Sequence, residues 1–374
     1  MSWIIAAKRT AIVPHGGAFA ALSIEDLGAP VVQSLLASAG LVGGDVDDII
    51  VSNALGAGGN PARRIALAAG LPERVAGLSI DRQCAGGLDA IVLARALVDS
   101  GAAQVVIAGG VESYSRRPLR AHTDPAGGQP VPYTQAPFTP WPERDPDMTV
   151  AADALGRRFS IERTAQDNWS VNSHAKALDY MQRVPQQLRE EIVPLAGQVG
   201  DPFARKLTAE LAARAKPQHG TITAANAAVA ADGAAFVLVV SDRFAESRLT
   251  AGRGMQIVGG MTLGDDPQMP GLAPIAAIRA VLKNAGIEAQ DITTAEVMEA
   301  YAVQAIACVH GAGLPAACVN QGGGALARGH PIGASGAVLA VRLFYQLEHG
   351  YGLAAIAAAG GLGTGLLVTR PFAG

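Results

Sequence analysis

The stretch "CAGGLDAIVLARALVDSGAAQVVIAGG", Cys84 to Gly110, returns later in the chain in other letters but in the same order of parts, as "GASGAVLAVRLFYQLEHGYGLAAIAAAGG", Gly333 to Gly361. Each copy runs from a small-residue turn through an apolar helix and a glycine stop into a buried strand with a Gly-Gly exit. Self-similarity of this kind predicts two related halves packed together. The first copy also opens on one of only three cysteines in 374 residues, followed after one alanine by two glycines. A buried structural thiol needs no such setting.

Working outward, "DDIIVSNAL" reads as a strand, "NPARRIALAAG" as a helix and "AQVVIAGGV" as a short buried strand, which makes the class α/β. Residues 118 to 146 carry prolines at 118, 125, 130, 132, 137, 140, 142 and 146, so this part is neither regular helix nor central strand. From Asp147 to Arg183 the pattern turns amphipathic and helical. A long elaborated insertion of this sort is expected to lie over a site or an interface.

Composition narrows the function classes. With 49% hydrophobic and 16% charged residues the chain is built to bury large surfaces, and a net charge of -3 gives no electrostatic case for nucleic acid. Three cysteines without close pairing fit a reducing compartment. The N-terminus has too short an apolar run for a secretory signal, and "GLAAIAAAGGLGTGLLV" at 352–368 is too short and glycine-broken to span a bilayer. The expectation is a cytoplasmic protein with no membrane and no nucleic-acid partner. There is no C-x-x-C or H-E-x-x-H, so no metal site is indicated. "GGLGTG" at 360–365 is a faint dinucleotide loop, followed by apolar "LLVTR" where such a loop requires a helix.

Two positions stand out chemically. Cys84 follows a predicted strand, Leu78 to Asp81, and precedes a helix that reads as apolar on every face and therefore buried. A thiol at a helix start meets free amides and the positive end of the dipole, which favour a thiolate and a neighbouring oxyanion. His330, in "GGGALARGHPIGASGA" at 322–337, is flanked by Gly329 and Pro331 and is placed to accept the cysteine's proton. For Cys84 the alternative is a small core cysteine, and for His330 a backbone hydrogen-bond partner. The repeat favours the chemical reading, because it sets both turns at equivalent points facing one centre. Cys308 reads as core, and Cys318 as core but closer to the glycine loop.

These residues carry a family likeness. "NPARRIAL", "QCAGGLDA", "AGGVESYSRRP", "ADGAAFVLVVS", "EVMEAYAVQA" and "GGGALARGHPIGASG" resemble, in order and spacing, segments of the thiolases. The resemblance implies a duplicated five-layered α/β/α/β/α fold with an inserted loop domain. It divides the chain into an N-terminal half at 1–113 with 219–250, a loop domain at 114–218 and a C-terminal half at 251–374. It implies ping-pong acyl transfer, with Cys84 acylated by an acyl-CoA and His330 activating the thiol. Coenzyme A thioester is then a substrate and no cofactor is held permanently. The likeness further implies a homodimer or homotetramer.

Several positions depart from the family pattern. The alignment of "GLAAIAAAGGLG" puts Ala357 where a second catalytic cysteine stands and Ala359 where the first glycine of a Gly-Gly-Gly run stands, with Gly361 at its end. Met298 replaces an asparagine that holds a water, Asp147, before Met148, replaces a pocket histidine, and Ala228 replaces a serine at the pantetheine. The resemblance therefore implies Cys84 and His330 as catalytic residues. Cys318, Ala359 and Gly361 are possible accessories, and Met148, Ala228 and Met298 substrate-binding positions. The acylation half of the site is retained and the carbon-carbon half is altered. Acyl-CoA hydrolysis and non-catalytic acyl-CoA binding are the competing readings.

Overall fold

The computed structural model describes residues 1–56, 58–248 and 254–370. The N-terminal half comprises β1 (Ser2–Thr10), α1 (Ile24–Ala39), β2 (Asp48–Ser52), α2 (Pro61–Ala68), β3 (Leu78–Ile80), α3 (Gly86–Asp99) and β4 (Val105–Glu112). An excursion carrying α4 (Met148–Arg158), α5 (Arg163–Arg183) and α6 (Pro185–Glu191) follows, and the chain returns in β5 (Ala231–Ser241). The C-terminal half comprises β6 (Met255–Gly264), α7 (Ala273–Ala285), β7 (Ile292–Val297), α8 (Ala302–Ala312), α9 (Ile332–Gln346), β8 (Gly350–Ala358) and β9 (Leu362–Arg370).

The pairing repeats. β2 runs parallel to β4, β4 antiparallel to β5, and β5 antiparallel to β1. In the second half β7 runs parallel to β8, β8 antiparallel to β9, and β9 antiparallel to β6. A short β1–β6 pairing, Trp3 with Gln256 and Ile4 with Met255, joins the two half-sheets. Helices α1 and α2 cover the outer face of one half-sheet, α7 and α8 that of the other, and α3 and α9 lie between the sheets. This is the five-layered α/β fold that the family resemblance implies, with the two related halves that the repeat predicts.

Strand composition follows from that layering, because a strand covered on both faces reads as a continuous apolar run. In β5, Ala235, Val237 and Val239 face the central helices while Phe236, Leu238 and Val240 join the outer core. β8 alternates likewise, with Ala354, Ile356 and Ala358 inward and Leu353 and Ala355 outward. Small inward residues let the helices come close.

The second of the two glycines after Cys84 serves the same closeness. A Cβ on Gly87 would sit 2.7 Å from the Ala337 amide of α9, and one on Gly336 would run into the Leu88 amide of α3. The contact is reciprocal, as the two-fold repeat requires. It brings the N-terminal ends of both central helices together. α3 differs from expectation in one respect: Leu93 is 40% exposed, so its second half keeps an open face, whereas α9 is buried from Gly333 to Leu343.

The proline-rich part contributes a short 3-10 turn, Pro142–Arg144, and the short strands Arg120–His122 and Val131–Tyr133, which pair with each other and not with the main sheet. Buried Arg9 of β1 donates to Glu191 at 2.5 Å and to Asp201 at 2.7 Å, and Arg342 of α9 donates to Glu191 at 2.9 Å. This buried ion cluster ties the excursion to both halves. The expected boundary at 114 follows the end of β4, that at 219 falls on the short strand Pro217–His219, and that at 250 lies outside the described residues. Among the described residues no helix is long and apolar enough to cross a membrane.

Candidate active site

Cys84 lies in a tight turn, Gln83–Ala85, between β3 and α3. Gln83 has φ of 51°, a left-handed conformation that costs energy in a non-glycine residue and is held by its surroundings. The Gln83 amide donates to the Asp81 carboxylate at 2.9 Å, which pins the turn from its exposed side. The result aims the thiol across the molecule at the other half, and the Cys84 Sγ stands 3.1 Å from His330 Nε2.

His330 is fixed through its backbone. Its amide donates to Val229 O at 2.8 Å, and its carbonyl accepts from the Ala231 amide at 3.3 Å, so the loop is stitched to the strand entering β5. On the ring, Nδ1 lies 2.6 Å from Ser335 Oγ in the first turn of α9. With Nδ1–H donated to Ser335, Nε2 is the lone-pair nitrogen that faces the thiol. A sequence-level signal for Ser335 existed, since it occupies the small-residue turn of the repeat, but periodicity assigns it no role.

Burial sets the charge state. It pushes the Cys84 thiol up to about 12, with the Glu112 and Asp81 charges acting in the same direction, and pushes His330 down to about 4. Sequence reading favoured a thiolate at a helix start; the site instead holds a neutral thiol against a neutral imidazole. Desolvation outweighs the helix ends here. Activation therefore means proton transfer during attack.

Glu112, at the end of β4, is a second buried acid that sequence reading passed over. Its carboxylate accepts from Asn53 Nδ2 at 2.8 Å, the Ala54 and Leu55 amides at 3.1 and 3.3 Å, and the Gly333 amide at 3.0 Å. It clamps the loop after β2 to the start of α9, and burial raises it to about 7. Glu299 does similar work in the other half, accepting from Trp169 Nε1, Ser173 Oγ, Asn320 Nδ2 and the Leu326 amide at 3.0, 2.8, 2.8 and 3.2 Å. It binds α5 to the glycine-rich loop that leads to His330.

Cys84 and His330 open into a cavity of about 340 Å³, roofed by residues of the excursion such as Met148 and Phe138. Ala228, Ala357 and Ala359 line it with them. Met298, Cys318 and Gly361 do not. Met298 is buried in the central core, and its amide is tied to Ala355 O at 2.9 Å. Cys318 is packed in the outer core of the second half, its thiol donating to Pro315 O at 3.1 Å and pushed up to about 11 by burial. Gly361 closes the β8–β9 turn with φ of 78°, its carbonyl accepting from the Asp265 amide. Asp147 caps α4 by accepting from the Thr149 and Val150 amides. Apart from Cys84, no thiol reaches the cavity among the described residues.

The chemistry available is nucleophilic attack by a thiol with one histidine as base, at the meeting point of two helix starts, beneath residues of the excursion. Two family models match this chain: the thiolase N-terminal domain over residues 2–243 and the thiolase C-terminal domain over residues 254–370. The putative acetyl-CoA C-acetyltransferase YhfS of Bacillus subtilis is 38% identical, covering 97% of this chain and 98% of its own. The putative acetyl-CoA C-acetyltransferase VraB of Staphylococcus aureus is 35% identical, with 98% of both chains covered. The crystal structure of the Bacillus anthracis acetyl-CoA acetyltransferase superposes with a TM-score of 0.89 at 30% identity, over 99% of this chain and 98% of that one. By these matches, and by the repeated architecture that places Cys84 against His330, the chain belongs to the thiolase family.

Proposed function

We propose that the protein is an acyl-CoA-dependent acyltransferase that works through an acyl-Cys84 intermediate, with its carbon-carbon bond-forming half reduced or redirected. The observation that carries this reading is the 3.1 Å approach of Cys84 Sγ to His330 Nε2 in a cavity where Ala357 supplies no second thiol. As the sulfur attacks the thioester carbonyl, the S–H proton passes to His330 Nε2, and a tetrahedral oxyanion forms beside the amides that open the turn and α3. Collapse expels the coenzyme A thiolate, which takes the proton from Nε2. The imidazolium is stabilised meanwhile by Nδ1–H donated to Ser335.

The acyl-enzyme then needs an acceptor. Claisen condensation or its reverse requires a group that moves a proton at the carbon of the second thioester, and an alanine methyl cannot do so. The loss of a positioned base costs about 10²- to 10⁴-fold. The test is thiolysis of acetoacetyl-CoA by the wild type and by Ala357→Cys. The expected result is slow turnover in the wild type, well under the ~10 s⁻¹ median of enzymes, and a gain in the variant. A wild type at ordinary enzyme rates, with no gain on substitution, would sink the claim of a weakened second half. Acyl-enzyme lost to free acid at the rate of its formation would assign hydrolysis instead. Homo-oligomeric assembly and a cytoplasmic setting belong to this proposal as expectations.

A further inference from the structure

The cavity has a cationic wall that the acyl-transfer step leaves idle. The hairpin of Arg120–His122 with Val131–Tyr133 sets Arg120 opposite Tyr133, and Arg117, Arg120, Thr134 and Gln135 of this segment line the same space as Cys84 and His330. Arg120 is half-buried and held in place: its Nη2 donates to Ala54 O at 3.1 Å, and Ala54 is itself part of the lining. Its other donors, on Nε and Nη1, have no partner among the described residues, and neither is a sealed atom. Arg117 is exposed and fixed by its own turn, with Nη1 donating to Tyr114 O at 2.9 Å and the guanidinium 4.2 Å from the centre of the Tyr114 ring. Neither arginine has an acidic partner among the described residues. The one carboxylate in the described lining, Asp81, accepts from the Gln83 amide instead.

The anchor at Ala54 places Arg120 near the chemistry. The Ala54 amide and the Gly333 amide at the start of α9 donate to the same oxygen of Glu112, at 3.1 and 3.0 Å, so the guanidinium is tied to the part of the wall that adjoins the helix starts. The phosphates of coenzyme A are separated from the thioester by the whole pantetheine arm. An anion that reaches Arg120 is therefore one carried by the acyl chain. Leu55, Phe138 and Met148 give its methylenes an apolar lining. A chain ending in a methyl would strip water from the guanidinium and return no hydrogen bond. A terminal carboxylate accepts from the planar guanidinium with both oxygens and supplies the missing counter-charge.

We infer that Arg120, in the field of Arg117, recognises a carboxylate at the far end of the acyl group, so that the preferred substrates are ω-carboxyacyl thioesters, the half-thioesters of dicarboxylic acids. This rests on the proposed acyl-CoA reading and names the substrate class of the same site. Calorimetric titration of the Cys84→Ala protein separates the two, because it measures binding where no acyl-enzyme forms. The ligands are free coenzyme A and three pairs matched in chain length: succinyl- with butyryl-CoA, glutaryl- with pentanoyl-CoA, and adipyl- with hexanoyl-CoA. At least one carboxylate should bind roughly tenfold tighter than its methyl-ended partner, the yield of one charge-assisted hydrogen bond. In the same background Arg120→Gln should remove most of that advantage, lowering the affinity of the carboxylate ligand far more than that of its partner, and Arg120→Lys should restore part of it. No preference in any pair, with every thioester bound, would overturn the inference alone. So would a preference that survives Arg120→Gln, or an equal loss for every ligand including free coenzyme A, because the guanidinium would then be serving the coenzyme's phosphates. Failure of free coenzyme A and of all six thioesters to bind would take down the acyl-CoA reading and the inference with it.

Discussion

Replacing Ser335 by alanine tests how His330 is poised for the proposed proton transfer. His330 has two ring partners, Cys84 at Nε2 and Ser335 Oγ at 2.6 Å from Nδ1. Among the described residues no carboxylate bonds either ring nitrogen, so Ser335 Oγ is the group that accepts the Nδ1 hydrogen bond of the imidazolium formed during attack. A hydrogen bond to a charged group contributes about 1.5–3 kcal/mol. At about 1.4 kcal/mol per factor of ten, Ser335→Ala should slow acylation roughly 10- to 150-fold. The start of α9 is buried and the substitution removes a single oxygen, so the fold should stay intact. Quenched-flow measurement of acyl-enzyme formation from acetyl-CoA reads the step directly. Ser335→Thr, which keeps the hydroxyl, should recover part of the rate where its methyl is accommodated. An unchanged acylation rate in Ser335→Ala, with an unchanged pH profile, would refute the role given to this bond.

Four further outcomes follow from the site and its packing. Acylation should fall as pH drops through about 4, the value to which burial lowers His330, because the protonated ring cannot take the thiol proton. The same depressed value means that the unfolded chain binds the proton more readily, so the histidine's contribution to stability is full above about 6.5 and is lost as pH falls toward 4, visible in urea unfolding across that window. Alkylation by iodoacetamide mapped by mass spectrometry should mark Cys84, which is half-buried at the cavity, well before Cys308 or Cys318, which are buried in cores; equal labelling would count against a uniquely accessible nucleophile. Gly87→Ala, whose new Cβ would sit 2.7 Å from the Ala337 amide, should destabilise by about 1–3 kcal/mol through overpacking at the α3–α9 contact; a stability within error of the wild type would show that the helix starts are less tightly joined than described.

The duplication was legible because its cause is local and repeated. A turn of small residues, a helix between two sheets and a strand buried on both faces leave the same trace at Cys84–Gly110 and at Gly333–Gly361, and the paired topologies of β4–β5 and β8–β9 bear this out. The Cys84–His330 meeting was legible for the same reason, since equivalent positions in a two-fold repeat face a common centre. Other features had no such trace. Glu112 and Glu299 are single acids in apolar strands or turns, and only the folded backbone shows the amides and side chains that converge on them. The protonation state was misjudged because a helix start was visible in the letters, whereas the depth of burial that opposes it was not. Met298 and Cys318 sit near the site in sequence motifs, but their side chains turn into the cores rather than into the cavity. A motif position does not specify a direction.

The central claim is that Cys84 accepts an acyl group from a coenzyme A thioester with His330 as its base. Its most direct test is intact-protein mass spectrometry after brief exposure to acetyl-CoA, with peptide mapping of the adduct in the wild type, Cys84→Ala and His330→Ala. The account requires one acetyl group, located on Cys84, absent from Cys84→Ala and formed about 10²- to 10⁴-fold more slowly in His330→Ala. No adduct in the wild type, an adduct that persists in Cys84→Ala, or one that forms at an undiminished rate without His330 would contradict it.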